Sequence, residues 1–508
     1  MNSSRRQVLL AAAGLGSIAL VGAQARPAAA DLLPDADPVQ AYEKAWTTVD
    51  TSVRDNEAGW LAWGISYLLL SLVRMYEATG DVSYLDRFVA RADQVWDQTD
   101  IRRGVTDWQG RSGWVWRTGG SYTAAGIAIR SDAGESLFEV RYAAATPSAA
   151  TVTVSNVHPG GCDLVLTHPT TGTVTVAGVS LDPASADDVV ARVNAVYTTS
   201  RRWTAKRLGG AATATPAEGT SALQQRMYAF AVHTGMVTYP MALFARLVLE
   251  RGRSGQRDLI RYRGAAQRYL TWTRKAVAFH DVEWRDRTLG DGAAGGDYVW
   301  PKGAPIPFDG LIQPFNQTQG LGQTMAELYR IDRSPVYAAK VRAMVRAFRS
   351  DMETVGAARK WHYWPTYSEL YQSYPASAGL SEYTPSYSRA TQYEDISHAA
   401  ISVEFLRAAQ QAGLEATTTD LEAYAHTYLD LLRNGPTGVF TRVDGSTPAV
   451  ESNAAQAGRW LGLAPWGPGM VEHVTAVYDA IALAPTQGSH LLGVGYVAWA
   501  ANQGWLRD

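Results

Sequence analysis

Apolar residues recur at three- and four-residue spacing in a series of paired segments. Trp60 to Glu77 is followed by Ser83 to Gln98 across the turn Ala78-Thr79-Gly80-Asp81. Tyr228 to Glu250 precedes Leu259 to Phe279, and Gly320 to Tyr329 precedes Val336 to Met352. His398 to Gln411 precedes Asp420 to Arg433, and Met470 to Leu483 precedes Leu491 to Asn502. Each pair predicts a helical hairpin. Asp37 to Asn56 can supply a further hairpin with the last helix. Between Gly119 and Gly210 the period changes to two. Thr151-Val152-Thr153-Val154 and Thr173-Val174-Thr175-Val176 alternate as strands do, with turns at Pro159-Gly160-Gly161 and Pro169 to Gly172.

Tandem helical hairpins close into a ring or stack into a solenoid. These hairpins vary in length, lack a strict repeat and are joined by long connections. The expected fold is therefore mainly α: an α/α toroid of helical hairpins with an inserted small β module. Residues 31–118 would form the first part of the toroid, 119–210 the module and 211–508 the remainder. The module's few aromatics are scattered, which suits a spacer or accessory unit better than a glycan-binding one.

The N-terminal thirty residues carry a separate signal. Arg5-Arg6 precedes an apolar stretch through Leu15, Ile18 and Val21, and Ala28-Ala29-Ala30 offers a cleavage site before Asp31. This is the pattern of a twin-arginine (Tat) export address. The stretch is shorter than the roughly 20 residues of a membrane span, with an uncleaved anchor as the alternative. The mature chain is expected to be secreted, with the Tat machinery as its export partner and no membrane in the mature form.

Composition narrows the function. The net charge is −2 and no basic block is present, which argues against nucleic acid. The single cysteine, Cys162, excludes an intramolecular disulfide and lies in a Gly- and Val-rich segment with no His nearby. The 17 Trp and 25 Tyr are more informative, because many sit beside Gly, Pro and polar residues in loops. Such rings offer flat apolar faces with a polar tip, which suits sugar rings. No H-E-x-x-H, Walker loop, G-x-G-x-x-G after a strand or G-x-S-x-G elbow occurs. No cofactor is called for, and a structural Ca²⁺ among loop acids stays open.

The start of each hairpin's first helix is unusually polar: Asp55-Asn56-Glu57-Ala58-Gly59-Trp60, Val232-His233-Thr234-Gly235-Met236, Gln313 to Gly320, Tyr393 to His398, and Glu472-His473. If first helices line the ring, these starts converge on one mouth. Capping accounts for Asp395 or Ser397. It does not account for His398, Gln319 or Trp60. The loop before the fourth hairpin runs Lys360-Trp361-His362-Tyr363-Trp364-Pro365-Thr366-Tyr367, then through Tyr371, Tyr374, Tyr383, Tyr387 and Arg389 to Tyr393. It reads as a sugar cleft. A second aromatic loop, Asn453 to Trp466, centres on Arg459-Trp460.

Trp361-His362-Tyr363 and Tyr393-Glu394-Asp395-Ile396-Ser397-His398-Ala399 entering a helix, set among helical hairpins, resemble α/α-toroid polysaccharide lyases (alginate lyase-like members) and glucuronyl C5-epimerase-like domains. The resemblance covers about Asp37 to Asp508 without the β insert. It implies a polysaccharide substrate and a uronate-cleaving site of Asn, His, Tyr and Arg. The Asn-Asn-His motif is missing; Asn316 stands with Gln317 and Gln319. Elimination needs the uronate carboxylate neutralised, a base for the C5 proton and an acid for the leaving oxygen. Asn316 or Gln319, with Arg389 or Arg459, would neutralise. His398 or His233 would be the base, and Tyr363 or Tyr393 the acid. Glu57, Trp60, Trp361, His362 and Trp460 would line the substrate.

An epimerase would use nearly the same parts. A glycoside hydrolase on the same toroid would need two carboxylates about 5–5.5 Å apart for retention or 6.5–9.5 Å for inversion. Asp55, Glu57, Glu394 and Asp395 are the candidates for it. A non-catalytic glycan-binding protein would need only the aromatics.

Overall fold

The structure, a computed structural model, describes residues 32–33, 35–198, 200–253 and 257–502. The export-signal reading of residues 1–30 lies outside them. The chain is mainly α, with 47% helix and 19% strand in several small sheets.

The longer helices among the described residues are α1 (Pro38–Trp46), α2 (Ser66–Thr79, entered through a π-turn at Leu61–Ile65), α3 (Ser83–Asp97), α4 (Ala231–Arg253) and α5 (Arg263–Ala278). They continue as α6 (Phe315–Asp332), α7 (Pro335–Ser350), α8 (Ile396–Gln411), α9 (Thr418–His426), α10 (Met470–Ala480) and α11 (Gly488–Asn502). Helix α2 packs on α4, α4 on α6, α6 on α8, and α8 on a 3₁₀ segment, Ala457–Trp466. That segment packs on α11, and α11 packs back on α2. Behind this circuit, α3 lies on α2, α5 on α4, α7 on α6, α10 on the 3₁₀ segment and α1 on α11, while α9 lies on α8 and the 3₁₀ segment.

Helix α4 is apolar all round because it has neighbours on either side and behind. Its Ala231–Glu250 stretch is long and apolar enough to cross a membrane, yet 94% of that window is buried in the fold. Glycine sets how closely the circuit closes. A Cβ on Gly235 of α4 would lie 2.1 Å from the Gly320 carbonyl of α6, and one on Gly488 of α11 would lie 2.2 Å from the Gly64 carbonyl.

Two boundaries differ from the sequence expectation. Helix α6 begins at Phe315 rather than Gly320, so Asn316 to Gln319 form its first turns and are all buried. A run of amides carries no hydrophobic period, and tertiary packing makes it helical. In the last hairpin, α10 lies behind the circuit, and the expected loop Asn453 to Trp466 supplies the circuit member. Gly458, Gly462 and Pro465 disguise that segment as loop. Glu472-His473 therefore does not reach the convergent helix starts. His473 Nδ1 is 3.0 Å from the Tyr428 hydroxyl, in the packing behind.

The β module comprises β1 (Ala125–Arg130), β2 (Ser136–Tyr142), β3 (Thr151–His158), β4 (Gly161–His168), β5 (Gly172–Ser180), β6 (Trp203–Arg207), β7 (Gly219–Ala222) and β8 (Gln224–Gln225). They form two antiparallel sheets, β6-β2-β1-β8 and β5-β4-β3-β7, around a separate core that includes Phe138, Val152, Leu164 and Trp203. The sheets reach Gln225, beyond the expected limit at 210. β7 is fully exposed and short, so its sequence shows no alternation. The module docks on the aromatic loop, where Arg141 and Lys206 both donate to Glu382 at 2.9 and 3.0 Å, and on the segment before α6, where the Ala124 N–H donates to the Pro305 carbonyl at 2.7 Å.

Inside the circuit lies a small cavity of about 20 Å³, lined from each member in turn by Tyr67, Met236, Gln323, Ile401, Arg459 and Leu492. Glu404 of α8 anchors its floor. It accepts from Arg74 of α2 (2.9 Å), Arg407 (2.6 Å) and Tyr496 of α11 (2.7 Å), and from the Tyr239 hydroxyl of α4. Burial alone would raise its pKa, but the two guanidiniums hold the carboxyl well below the usual range. Glu404→Gln leaves two buried arginines short of charge and should cost about 3–5 kcal/mol, read as a lowered denaturant midpoint. Gly235→Ala forces α4 off α6 and should cost about 1–3 kcal/mol or more. By contrast, Gly264→Ala, whose nearest neighbour is 3.9 Å away, should be neutral or stabilising.

Candidate functional site

His233 of α4, Gln319 of α6 and His398 of α8 lie three or four residues before the cavity-lining Met236, Gln323 and Ile401. At the start of α8, Asp395 caps the helix by accepting from the Ser397 and His398 N–H groups at 3.0 and 3.1 Å. Its other oxygen accepts from His398 Nδ1 at 2.5 Å. Burial would raise the Asp395 carboxyl, but the imidazole and the backbone donors bring it down to about 2. Nδ1 is thus the His398 nitrogen bonded to Asp395, and Nε2 is the ring nitrogen turned away from it. The Tyr363 ring lies 5.5 Å from the His398 ring. Burial, then the nearby Glu394 and Asp395 charges, push the Tyr363 phenol far above its ordinary pKa, while a hydrogen bond with Gln317 opposes them. The phenol therefore keeps its proton.

Arg459 of the 3₁₀ segment stands beside this dyad. It donates to Ser397 Oγ and to Gln456 Oε1, both at 3.1 Å, and lies 4.6 Å over the Tyr67 ring of α2. Its exposed area is 5%.

His233 of α4 has the opposite arrangement. The Leu61 and Ala62 N–H groups both donate to Asn56 Oδ1 at 3.1 Å, which turns the Asn56 amide nitrogen outward. That nitrogen donates to His233 Nδ1 (3.2 Å) and to Thr118 Oγ1 (2.9 Å), and the Thr118 hydroxyl lies 2.9 Å from the same Nδ1. Nδ1 is thus an acceptor and Nε2 holds the proton. Trp63 and Tyr122 meet the imidazole edge-on, each at 5.2 Å, and burial lowers its pKa to about 3. Of the two histidines offered as base, His233 is a locked neutral donor, and His398 is held through Nδ1 by Asp395.

The remaining expected residues divide. Strand-like alternation points Trp361 and Tyr363 inward and Lys360 and His362 to the other side. Tyr393 follows the outward pair: its hydroxyl is 3.0 Å from both Lys360 Nζ and Glu353, and its ring stacks on His362 at 4.2 Å. His362 Nδ1 donates to the Thr391 carbonyl at 2.8 Å. Arg389 is exposed and lies 4.8 Å over the Tyr371 ring. Tyr393, His362 and Arg389 therefore form a cluster apart from His398. Trp361 and Trp460 are fully buried. Trp361 donates to Glu394, and Trp460 donates to the Ile396 carbonyl at 3.0 Å. Trp60 donates to the Ser52 carbonyl at 2.9 Å and carries Arg54 3.8 Å over its ring, at the rim. Asn316 and Gln319 are buried on α6.

Three of the four hydrolase carboxylates face a basic side chain, and the fourth, Glu394, keeps Oε1 without a hydrogen-bond partner. Asp55 is 3.7 Å from Arg103. Glu57 accepts from Arg103 at 2.9 Å and from Arg117 at 2.7 Å, and these bonds outweigh burial and lower its pKa. Glu394 is buried and raised well above the carboxylate range by that burial, with the Trp361 indole opposing. Asp395 is held by His398. Among the described residues no group of three or more His, Cys, Asp or Glu is placed to hold a metal ion.

Sequence reasoning missed Tyr67, Tyr122 and Thr118, and named Asn56 only as part of a polar helix start. Tyr67 sits in the apolar stripe of α2 and reads as core. Tyr122 and Thr118 lie at the edge of the β-rich block, and only tertiary contact brings them to His233. Neither a family model, nor a curated protein, nor a solved structure matches the chain.

His233 yields a prediction with a definite sign. Unfolded, an imidazole titrates near 6.5, and folded His233 near 3. Between those values only the unfolded chain binds this proton, so stability falls as pH drops below about 6.5. The contribution reaches up to about 1.4 kcal/mol per pH unit. Denaturant midpoints from pH 7 to 4.5 should show a shallower decline for His233→Asn than for the wild type. Equal slopes would refute the buried neutral imidazole.

Proposed function

We propose that this protein is a secreted polysaccharide lyase that cleaves next to uronic acid residues by β-elimination. The observation that carries the reading is the Asp395–His398 dyad beside a protonated Tyr363 and the Arg459 guanidinium. The circuit of neighbours, with a second layer behind it, supports an α/α toroid, and we adopt that architecture as part of the proposal. Export by the twin-arginine route, read from Arg5-Arg6 and Ala28-Ala29-Ala30, belongs to the same reading.

The chemistry follows from the groups present. Arg459 pairs with the uronate carboxylate and lowers the cost of charge building up beside C5. His398 Nε2 takes the C5 proton, and Asp395 stabilises the imidazolium that forms. The C4=C5 bond forms as the C4–O bond breaks, and the leaving oxygen takes the Tyr363 phenol proton. A raised phenol pKa suits a group that must arrive protonated. The engagement of Asp55 and Glu57 by arginines and of Asp395 by His398 weighs against the hydrolase alternative.

The test is ultraviolet absorbance of the new C4=C5 bond while the purified protein meets a panel of uronate-containing polysaccharides. Signal should rise for the wild type and fall about 10²–10⁴-fold in His398→Ala and in Tyr363→Phe, with both variants folded. New reducing ends without a double bond would mean hydrolysis. Inversion at C5 without cleavage would mean epimerisation. Either result overturns the elimination reading.

A further inference from the structure

A larger opening than the central cavity lies in the β module, where sheet β6-β2-β1-β8 has an incomplete edge. β8 pairs with β1 only at Ala125 and Gly126. Past Ile129 the edge is covered again: the Ala217 N–H donates to the Arg130 carbonyl at 2.8 Å, and Ser131 bridges Pro216. Between Ala217 and Gln224 the chain departs as β7 to pair with β3 in the other sheet. Among the described residues no strand therefore covers Ile127, Ala128 and Ile129 on this side. Antiparallel alternation turns the Ala128 N–H and C=O toward the gap. The result is a groove of about 410 Å³, lined by Gly126, Ile127, Ala128, Arg130, Gln224 and Arg226 among others. That volume lies within the range of small-ligand sites, about 300–1,000 Å³. The central cavity, at about 20 Å³, has room for a water.

The groove is polar and has an excess of positive charge. Arg130 is exposed and donates to the Gly134 carbonyl at 2.9 Å, with no ion-pair partner among the described residues. Arg226 and Arg141 donate to the two oxygens of Glu139, at 2.5 and 2.7 Å. Arg141 also shares Glu382 with Lys206. On this sheet face four cations thus meet two carboxylates. Gly126 and Ala128 leave the floor without bulk; a Cβ on Gly126 would lie 2.8 Å from Glu139 Oε1. A guanidinium pairs with a carboxylate through two parallel N–H bonds. The Gln224 amide and the Ala128 backbone offer both donors and acceptors, which suits sugar hydroxyls. An acidic peptide adding as a strand would need a longer free edge, since an ordinary strand has about 5–6 residues. The groove also lies close in chain to one wall of the mouth. Gln225 Nε2 donates to Thr123 Oγ1 at 2.6 Å, and Thr118 reaches His233. Thr118 and Gly126 are eight residues apart, which is at most about 29 Å.

We infer that this groove of the β module is a second binding site, for an acidic polysaccharide, separate from the residues proposed for elimination. Arg130 takes a uronate carboxylate, and Gln224 and the Ala128 backbone bond the ring hydroxyls. A chain held there keeps another of its stretches near the mouth at raised effective concentration. The choice of a uronate chain rests on the proposed lyase activity; the groove and its charge do not.

The experiment is hydrogen exchange read by mass spectrometry, with and without oligomers of galacturonate, of mannuronate and of hyaluronan. It is run on the wild type at short labelling times and on His398→Ala, which does not turn the chain over. At least one oligomer should slow exchange across residues 125–130 and 224–226, and its carboxyl-reduced form should not. In the double variant Arg130→Ala/Gln224→Ala, both at exposed positions, half-protection should need about tenfold more oligomer. No slowing at these segments overturns the inference, as does equal slowing by the carboxyl-reduced chains or an unshifted midpoint in the double variant. Equal slowing by poly-glutamate would mean an acidic-peptide site and overturns it too. The wild-type comparison needs no substitution, so it stands even if a variant unfolds. Double-bond formation by the wild type is followed in parallel. Protection of the groove without a double bond removes the elimination reading and keeps the groove. A double bond without protection does the reverse.

Discussion

Glu404 is the charge on which the helical circuit depends. It is almost wholly buried, and its bonds run to Arg74 on α2, Tyr239 on α4 and Tyr496 on α11, with Arg407 of its own helix closing the set. One carboxylate thus ties four circuit members that are distant in sequence. A buried ion pair stabilises little beyond an apolar equivalent, but breaking one is expensive. Such a hub therefore specifies which helices meet, and at what height, more than it adds to the total stability. Helices fixed at the floor by Glu404, and at close approaches such as Gly235 on Gly320, have little freedom to splay at the mouth.

That constraint matters because no single element carries a site. Five of the six circuit members carry candidate residues near their starts: Trp63 and Tyr67 at the start of α2, His233 on α4, Asn316 and Gln319 on α6, His398 on α8, Arg459 on the 3₁₀ segment. The two histidines show how neighbours then divide the work. Asp395 accepts from Nδ1 of His398 and leaves Nε2 as the nitrogen for the proposed proton transfer. Asn56 donates to Nδ1 of His233 and leaves a proton there. The same side chain becomes a proposed base on one wall and a fixed donor on the other. The difference lies in whether its orienting partner is a carboxylate or an amide.

The sequence made some of this legible. Helical periodicity located the hairpins, and the alternating Thr-Val runs located the β module. His398 stood out because it follows a cap and is not explained by capping. Other features were hidden for physical reasons. Aromatic residues in loops look alike in sequence, but Trp361 and Trp460 spend their indole N–H groups on Glu394 and the Ile396 carbonyl inside the core. Tyr363 and Tyr393 both flank the fourth hairpin, and backbone alternation sends them to opposite sides. The amide run at the start of α6 has no apolar period, so its burial appears only once α4 and α8 are packed beside it. The 3₁₀ segment that carries Arg459 has the glycine and proline content of a loop, because close approach to Tyr478 and Arg407 demands small residues there.

The β module has a place in the same logic. Its sheet sends Arg141 and Lys206 to Glu382, and Arg141 lies 4.6 Å over the Tyr383 ring. Asp309 takes hold of the same stretch from the helical side, accepting from the Glu382 and Tyr383 N–H groups at 3.1 and 3.0 Å. The long segment between α7 and α8, which carries Tyr363 at one end and Asp395 at the other, is thus pinned in its middle from two directions. A segment of that length has large conformational entropy unless it is tied down. Pinning it near Glu382 shortens the free chain on either side. Both ends then meet α8 in one arrangement, with the Tyr363 ring against His398. The module is inserted far from this segment in sequence and acts on it by contact, which gives it a structural task that a spacer would not have.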